Sequence, residues 1–141
     1  MCEPSSLYLN VAVDEKALRQ QSKRLRQFLD RHEVAPKVIY NAELVLEEMV
    51  GNVIRHGDAT ENIRFIVQME GNGILITIID NGVPFDPSGM SQPEIPDAAA
   101  NAPVGGLGIH MVRCAVDQMV YQRLERENRL EIRMGMDAPP A

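Results

Sequence analysis

Glu48, Asn52 and His56 recur at four-residue intervals within Glu47-Glu48-Met49-Val50-Gly51-Asn52-Val53-Ile54-Arg55-His56-Gly57. If that stretch is helical, a carboxylate, a carboxamide and an imidazole share one stripe of its surface. An amide oxygen is a hard ligand for Mg²⁺, and a carboxylate can take the proton of a hydroxyl. The stripe therefore suits a hydrated metal and a moving proton. It equally suits the wet side of an amphipathic helix, and taken alone the three residues leave both readings open.

A second cluster, Asp80-Asn81-Gly82-Val83-Pro84-Phe85-Asp86-Pro87, follows directly on an apolar run. A carboxylate at a strand end can accept a hydrogen bond from an exocyclic amine such as that of adenine. Gly82 would let the backbone approach a flat ring without a Cβ in the way. Asp-Asn-Gly is also strong turn chemistry, so a plain turn is the competing reading. The third cluster, Gly105-Gly106-Leu107-Gly108-Ile109, opens a run with helical periodicity. Glycines at a helix start leave amides free for an anion, and the helix dipole adds to the attraction. No Lys follows, so this is not the phosphate loop that ends in Lys and Ser or Thr.

The elements that must hold these clusters are legible in the hydrophobic pattern. Leu7, Leu9, Val11 and Val13 alternate as in a half-buried strand. Asp14 is a helix cap, and Glu15 to Arg31 reads as a helix burying Leu18, Leu25, Phe28 and Leu29. The basic residues Lys23, Arg24, Arg26 and Arg31 make a solvated face or a partner surface. Pro36 starts a second helix running to about Arg55, with Ile39, Ala42, Leu46, Met49 and Val53 at helical spacing and Gly57-Asp58 ending it. Strands over Asn62 to Glu70 and Ile74 to Asp80 flank a turn at Gly71-Asn72-Gly73.

Residues 81–104 shift to Pro, Gly, Ser, Asp and Ala, a long loop of the kind that compact domains keep for function. Gly106 to Met119 is helical in period. Val120 to Leu124 and Leu130 to Met134 form a last hairpin around Glu127-Asn128, and residues 137–141 read as a disordered tail. The expected fold is α+β, a two-layer α/β sandwich with a mixed, mostly antiparallel sheet and three helices on one face. Residues 1–136 form one domain.

Composition narrows the class. The 141 residues are 45% hydrophobic and 24% charged, without Trp, and carry a net charge of −6. An acidic chain is a poor match for nucleic acid, which needs a basic surface. No apolar stretch is long enough for a bilayer and no secretory leader pattern is visible, so the expectation is a cytoplasmic protein without a membrane role. Cys2 and Cys114 lack metal or disulfide spacing, and Cys114 reads as a small buried hydrophobe.

The three clusters arrive in a fixed order, on a helix, at a strand end and at a loop entering a helix. In that order they resemble the N, G1 and G2 boxes of the GHKL ATPases, the fold shared by gyrase and histidine kinases. Pro84-Phe85-Asp86-Pro87 and Gly105-Gly106-Leu107-Gly108-Ile109-His110-Met111-Val112 resemble the bacterial anti-sigma-factor serine/threonine kinases in particular. The resemblance implies ATP and Mg²⁺ as cofactors, Glu48 as general base and Asn52 as the Mg²⁺ ligand. It implies Asp80 as the adenine reader, Gly82 under the ring, and Gly105, Gly106, Leu107 and Gly108 around the phosphates, with His56 shaping the site.

The implied reaction moves the γ-phosphoryl of ATP to a Ser or Thr of a STAS-like anti-sigma-factor antagonist. A sigma factor or another regulator would bind elsewhere, and a homodimer could form through the first strand and helix. The alternatives are a non-catalytic, nucleotide-gated binding module and the catalytic half of a histidine kinase. Three departures stand out. No Lys or Arg occurs between Asn81 and Val112, where related kinases often place a cation that Arg55, His110 or a partner would have to replace. Pro84 stands where many relatives have Gly, and Asn128-Arg129 where many have a Gly-Thr pair whose Thr assists adenine binding.

Overall fold

Asp14 ends the first strand's exit by accepting a hydrogen bond from the Ala17 amide at 2.7 Å, and the helix it caps runs from Glu15 to Arg31. In the computed structural model, which describes residues 5–89 and 106–136, the elements follow in the order β1 (Ser6–Val11), α1 (Glu15–Arg31) and α2 (Pro36–Val45). A π-helical turn over Leu46–Val50 joins α2 to α3 (Gly51–His56) without a break. After it come β2 (Ile63–Glu70), β3 (Gly73–Asp80), α4 (Gly106–Ala115), β4 (Gln118–Leu124) and β5 (Glu127–Gly135). The residues expected in the tail, Gly105, and the 90–104 part of the long loop lie outside the described residues.

The strands form one sheet in the order β1-β2-β3-β5-β4, and every pairing is antiparallel. Alternation decides which side is buried: Leu9, Val11, Ile63, Phe65, Val67, Ile74, Ile76, Ile78, Leu130, Ile132 and Met134 enter the core. There they meet Leu18, Leu25 and Leu29 of α1, Val38, Ala42 and Val45 of α2, Leu46, Met49 and Val50 of the π turn, and Ile109 and Val112 of α4. Each Val, Leu, Ile, Phe or Met among them contributes roughly 1.5–3 kcal/mol on burial, enough to hold short helices that would not persist alone. The other side of the sheet carries the exposed pairs Arg64–Glu127 (2.7 Å), Arg129–Glu131 (3.3 Å) and Arg133–Glu70 (3.4 Å).

Three local expectations are corrected. The helix expected over Gly106 to Met119 stops at Ala115. Asp117 takes over there: its amide donates to Arg133 O at 2.9 Å and its carboxylate accepts from the Gly135 amide at 2.7 Å, which pulls the chain into β4. The last hairpin turns at Glu125-Arg126 rather than Glu127-Asn128, with Glu125 at φ 53°, so Glu127 and Asn128 belong to β5. Cys114, expected in the core, is exposed on α4, with its Sγ 3.7 Å from His110 Nε2.

Candidate functional site

The helix that carries Glu48, Asn52 and His56 is not a regular α-helix at Glu48. Its π turn accommodates an extra residue, which changes the angle between Glu48 and the residues beyond it; such turns are frequent at functional sites. Glu48 is half-buried and makes no hydrogen bond or ion pair among the described residues. Its carboxylate instead lies against Gly108, where a Cβ would collide with Glu48 Oε2 and Cδ. The glycine at position 108 is therefore the reason that the start of α4 and the Glu48 side chain can share this space. Asn52 follows half-buried on α3, and His56 is exposed in its last turn.

At its other end the same helix meets the turn after β3. The Val83 amide donates to Gly57 O at 2.8 Å, and Asn81 Oδ1 accepts from the Thr60 and Glu61 amides at 3.0 Å each while its Nδ2 donates to Thr60 Oγ1 at 2.7 Å. The space a Cβ at position 82 would need is filled by Gly57 O and Asp80 Oδ1, so the chain's own packing already demands glycine there. Glu48 and Gly57 are nine residues apart, roughly 13 Å along a helix. One helical segment thus forms a floor with a carboxylate and a glycine-opened helix start at one end and the Asp80 turn at the other.

Asp80 is 6% exposed, and its two bonds both fall on Oδ1, from the Gly82 amide at 2.8 Å and from Asn128 Nδ2 at 3.0 Å. Oδ2 accepts nothing among the described residues, yet none of their buried side-chain polar atoms is left without a partner. The acceptor left over by Asp80 is therefore not fully enclosed, and it holds part of the small surface this residue keeps exposed. Tyr121 and Arg123 complete this corner and carry no signal in the sequence, while Asn128 stood out there only as a departure from the family pattern and not as a site residue. Asn128 sits directly across the ladder from Asp80, a placement that follows from strand register and not from any local motif.

Of the remaining residues named from sequence, Gly106 opens α4, Leu107 is 50% exposed, and Gly105 lies outside the described residues. Arg55, a candidate substitute for the missing cation, is committed to Glu15 of α1 at 2.9 Å and covers Gly51. Among the described residues no group of three or more His, Cys, Asp or Glu could hold a metal ion. Mg²⁺ that arrives with a nucleotide keeps waters and phosphate oxygens and needs only one or two protein ligands, and a half-buried carboxamide such as that of Asn52 is chemically able to be one.

Glu47, beside Glu48, has its carboxyl held above the usual range by burial first, then by the charges of Glu43 and Glu48. A carboxyl whose folded-state pKa is raised adds stability only below the unfolded pKa and loses it as pH rises through the folded one. Glu47→Gln is thus expected to raise the melting temperature at pH 7 and to lose that advantage as pH falls below the ordinary carboxylate range. Thermal melts of both proteins at pH 3.5 and pH 7 check it.

The chain matches the family profile described as histidine kinase-like ATPase domain over residues 11–136. Among solved structures it is similar to the RsbU and RsbW domains of a Mycobacterium tuberculosis protein, at TM-score 0.70 and 17% identity over 99% of this chain and 34% of that one. It is also similar to the Acinetobacter baumannii histidine kinase AdeS, at TM-score 0.53 and 16% identity over 93% of this chain and 68% of that one. The histidine kinase domain of a blue-light-activated histidine kinase from Erythrobacter litoralis aligns at TM-score 0.53 and 13% identity, over 86% and 60%. The chain spans about a third of the length of the first of these. No curated protein matches it. No helix among the described residues is long and apolar enough to cross a membrane.

Proposed function

The chain belongs to the histidine kinase-like ATPase family, and on that premise we propose that it is an ATP-dependent serine/threonine kinase of the anti-sigma-factor type. The observation that carries the reading is the contact of the Glu48 carboxylate with Gly108 at the start of α4. A module that only sensed nucleotide would have no use for a carboxylate held, without a hydrogen-bonding partner, beside an anion-binding helix start.

Bound ATP with Mg²⁺ would supply the transferable γ-phosphoryl group. The residues of the chain divide the rest. Asp80 Oδ2 accepts from the adenine amine, and Gly82 keeps the turn packed onto Gly57 beneath it. The segment Gly105, Gly106, Leu107 and Gly108 offers backbone amides at the α4 start to the phosphates. Asn52 gives its oxygen to Mg²⁺, His56 borders the floor, and Glu48 takes the proton of the attacking Ser or Thr hydroxyl. The acceptor is a STAS-like antagonist protein in a partner-switching system, with a sigma factor or another regulator as the second partner. The similarity to a structure containing an RsbW domain supports this setting, as does the resemblance of the Gly105–Val112 motif. The whole domain over residues 1–136, with residues 81–104 as its nucleotide lid, acts in the cytoplasm.

A second reading, a non-catalytic nucleotide-gated binding regulator, is favoured by one feature: no Lys or Arg lies between Asn81 and Val112, and Arg55 is tied to Glu15. Both readings require nucleotide. Calorimetric titration of ATP and ADP, with and without Mg²⁺, into wild type and Asp80→Asn tests that requirement. The variant is expected to bind about ten- to a hundredfold more weakly, the worth of a hydrogen bond to a charged acceptor. Failure of the folded wild type to bind either nucleotide would overturn both readings.

A further inference from the structure

The side chain of Asn128 is buried, with 6% of its surface exposed, and all four of its hydrogen-bonding positions are taken. Its Oδ1 accepts from the Tyr121 hydroxyl at 2.5 Å and from Arg123 Nη1 at 3.1 Å. Its Nδ2 donates to Asp80 Oδ1 at 3.0 Å and to Val83 O at 2.8 Å. A carboxamide can point either way, but here the chemistry decides. A guanidinium only donates and a backbone carbonyl only accepts, so Arg123 fixes the oxygen side and Val83 O the nitrogen side. Arg123 Nη1 also donates to Gly82 O at 2.8 Å, tying the β4–β5 hairpin to the same turn.

With no bond left to give, Asn128 cannot itself read a ligand. Its effect passes through Asp80. Together with the Gly82 amide it saturates Oδ1, so the carboxylate cannot turn about its last bond without losing two hydrogen bonds. Oδ2 then stands as an acceptor in one fixed direction. Such an atom welcomes the N–H of a 6-amino purine and repels the carbonyl of a 6-oxo purine, where two acceptors would face each other with no proton between them.

We propose that Asn128, oriented by Tyr121 and Arg123, is a positioning residue that fixes Asp80 as a one-sided acceptor and thereby sets the selectivity for 6-amino over 6-oxo purine nucleotides. The inference rests on the nucleotide-binding reading above and adds to it the source of base discrimination.

The test is calorimetric titration of ATP and inosine triphosphate, with Mg²⁺, into the full chain as wild type, Asn128→Leu and Tyr121→Phe. The readout is the ratio of the two dissociation constants, which a general loss of stability or of phosphate binding leaves unchanged. Wild type is expected to prefer ATP. Asn128→Leu is expected to reduce the preference by about tenfold or more, since sites built around a hydrogen bond owe their rejection to it. Tyr121→Phe removes one oxygen far from the base and is expected to reduce the preference by about fivefold, one neutral hydrogen bond's worth. If Asn128→Leu does not fold, Tyr121→Phe decides alone. A wild type that discriminates, beside a folded variant whose ratio stays within about twofold of it, overturns the inference and leaves the nucleotide reading standing. A wild type that binds no nucleotide overturns both, and one that binds the two equally overturns the inference alone.

Discussion

Glu48→Gln is expected to lower phosphoryl transfer by about 10²–10⁴-fold, the usual contribution of a positioned general base, while the affinity for ATP changes little. Glutamine keeps the length and branching of the side chain and its packing against Gly108, and it forfeits only the ability to take a proton. Because Glu48 makes no hydrogen bond or ion pair among the described residues, no other residue loses a partner. Stability should therefore stay within a few tenths of a kcal/mol, as for ordinary substitutions away from networks. Single-turnover transfer to the phosphoacceptor protein, measured beside ATP calorimetry on the same samples, separates the two effects. Equal transfer by both proteins would remove Glu48 from the chemistry and favour the nucleotide-gated regulator; loss of binding as well would mean that Glu48 serves the pocket rather than the proton.

What the sequence made legible, and what it did not, divides by range. The bounds of α1, its cap Asp14 and its four buried residues Leu18, Leu25, Phe28 and Leu29 follow from cap chemistry and a 3.6-residue period, both local. Pro36 at the α2 start and the hairpin at Gly71-Asn72 are local as well. The errors lie where a distant strand overrides a local preference. Val116 to Met119 continues a helical period, yet the pairing of Gln118 with Arg133 and Met119 with Ile132 claims it for the sheet. Asn128 has the chemistry of a turn residue, but the pairing of Asp80 with Asn128 makes it a buried strand residue.

The candidate site follows the same rule. Its three clusters stand out as local patterns, each on one element, although spacing alone leaves a plain polar face or turn open for them and only the resemblance implies their roles. The contacts that assemble them do not stand out. Glu48 against Gly108 and Asn128 against Asp80 join positions some sixty and forty-eight residues apart, and the π turn under Glu48 has no sequence signature. Arg55 shows the converse: it lies within the N-box stretch, yet its guanidinium is drawn to Glu15 of α1 and covers Gly51. Which partner it takes is set by the fold and not by its place in the motif.

The Glu48–Gly108 contact allows one more strong expectation, in which stability and activity move in opposite directions. Gly108→Ala adds a single methyl group inside the first turn of α4, in a helical backbone where alanine is favoured over glycine by up to about 1 kcal/mol. The atoms it would strike are the end of the flexible Glu48 side chain and no part of the main chain. The fold can therefore accept the methyl by swinging Glu48 aside, and the melting temperature should hold or rise. Transfer should fall by a factor approaching that of Glu48→Gln, about 10² or more, because a displaced base no longer meets the hydroxyl. Since both changes act on one carboxylate, the double variant Gly108→Ala/Glu48→Gln should be scarcely slower than Glu48→Gln alone, a non-additivity that marks residues working as a unit. Multiplicative losses in the double variant would show instead that Gly108 serves the phosphates through its amide, independently of Glu48.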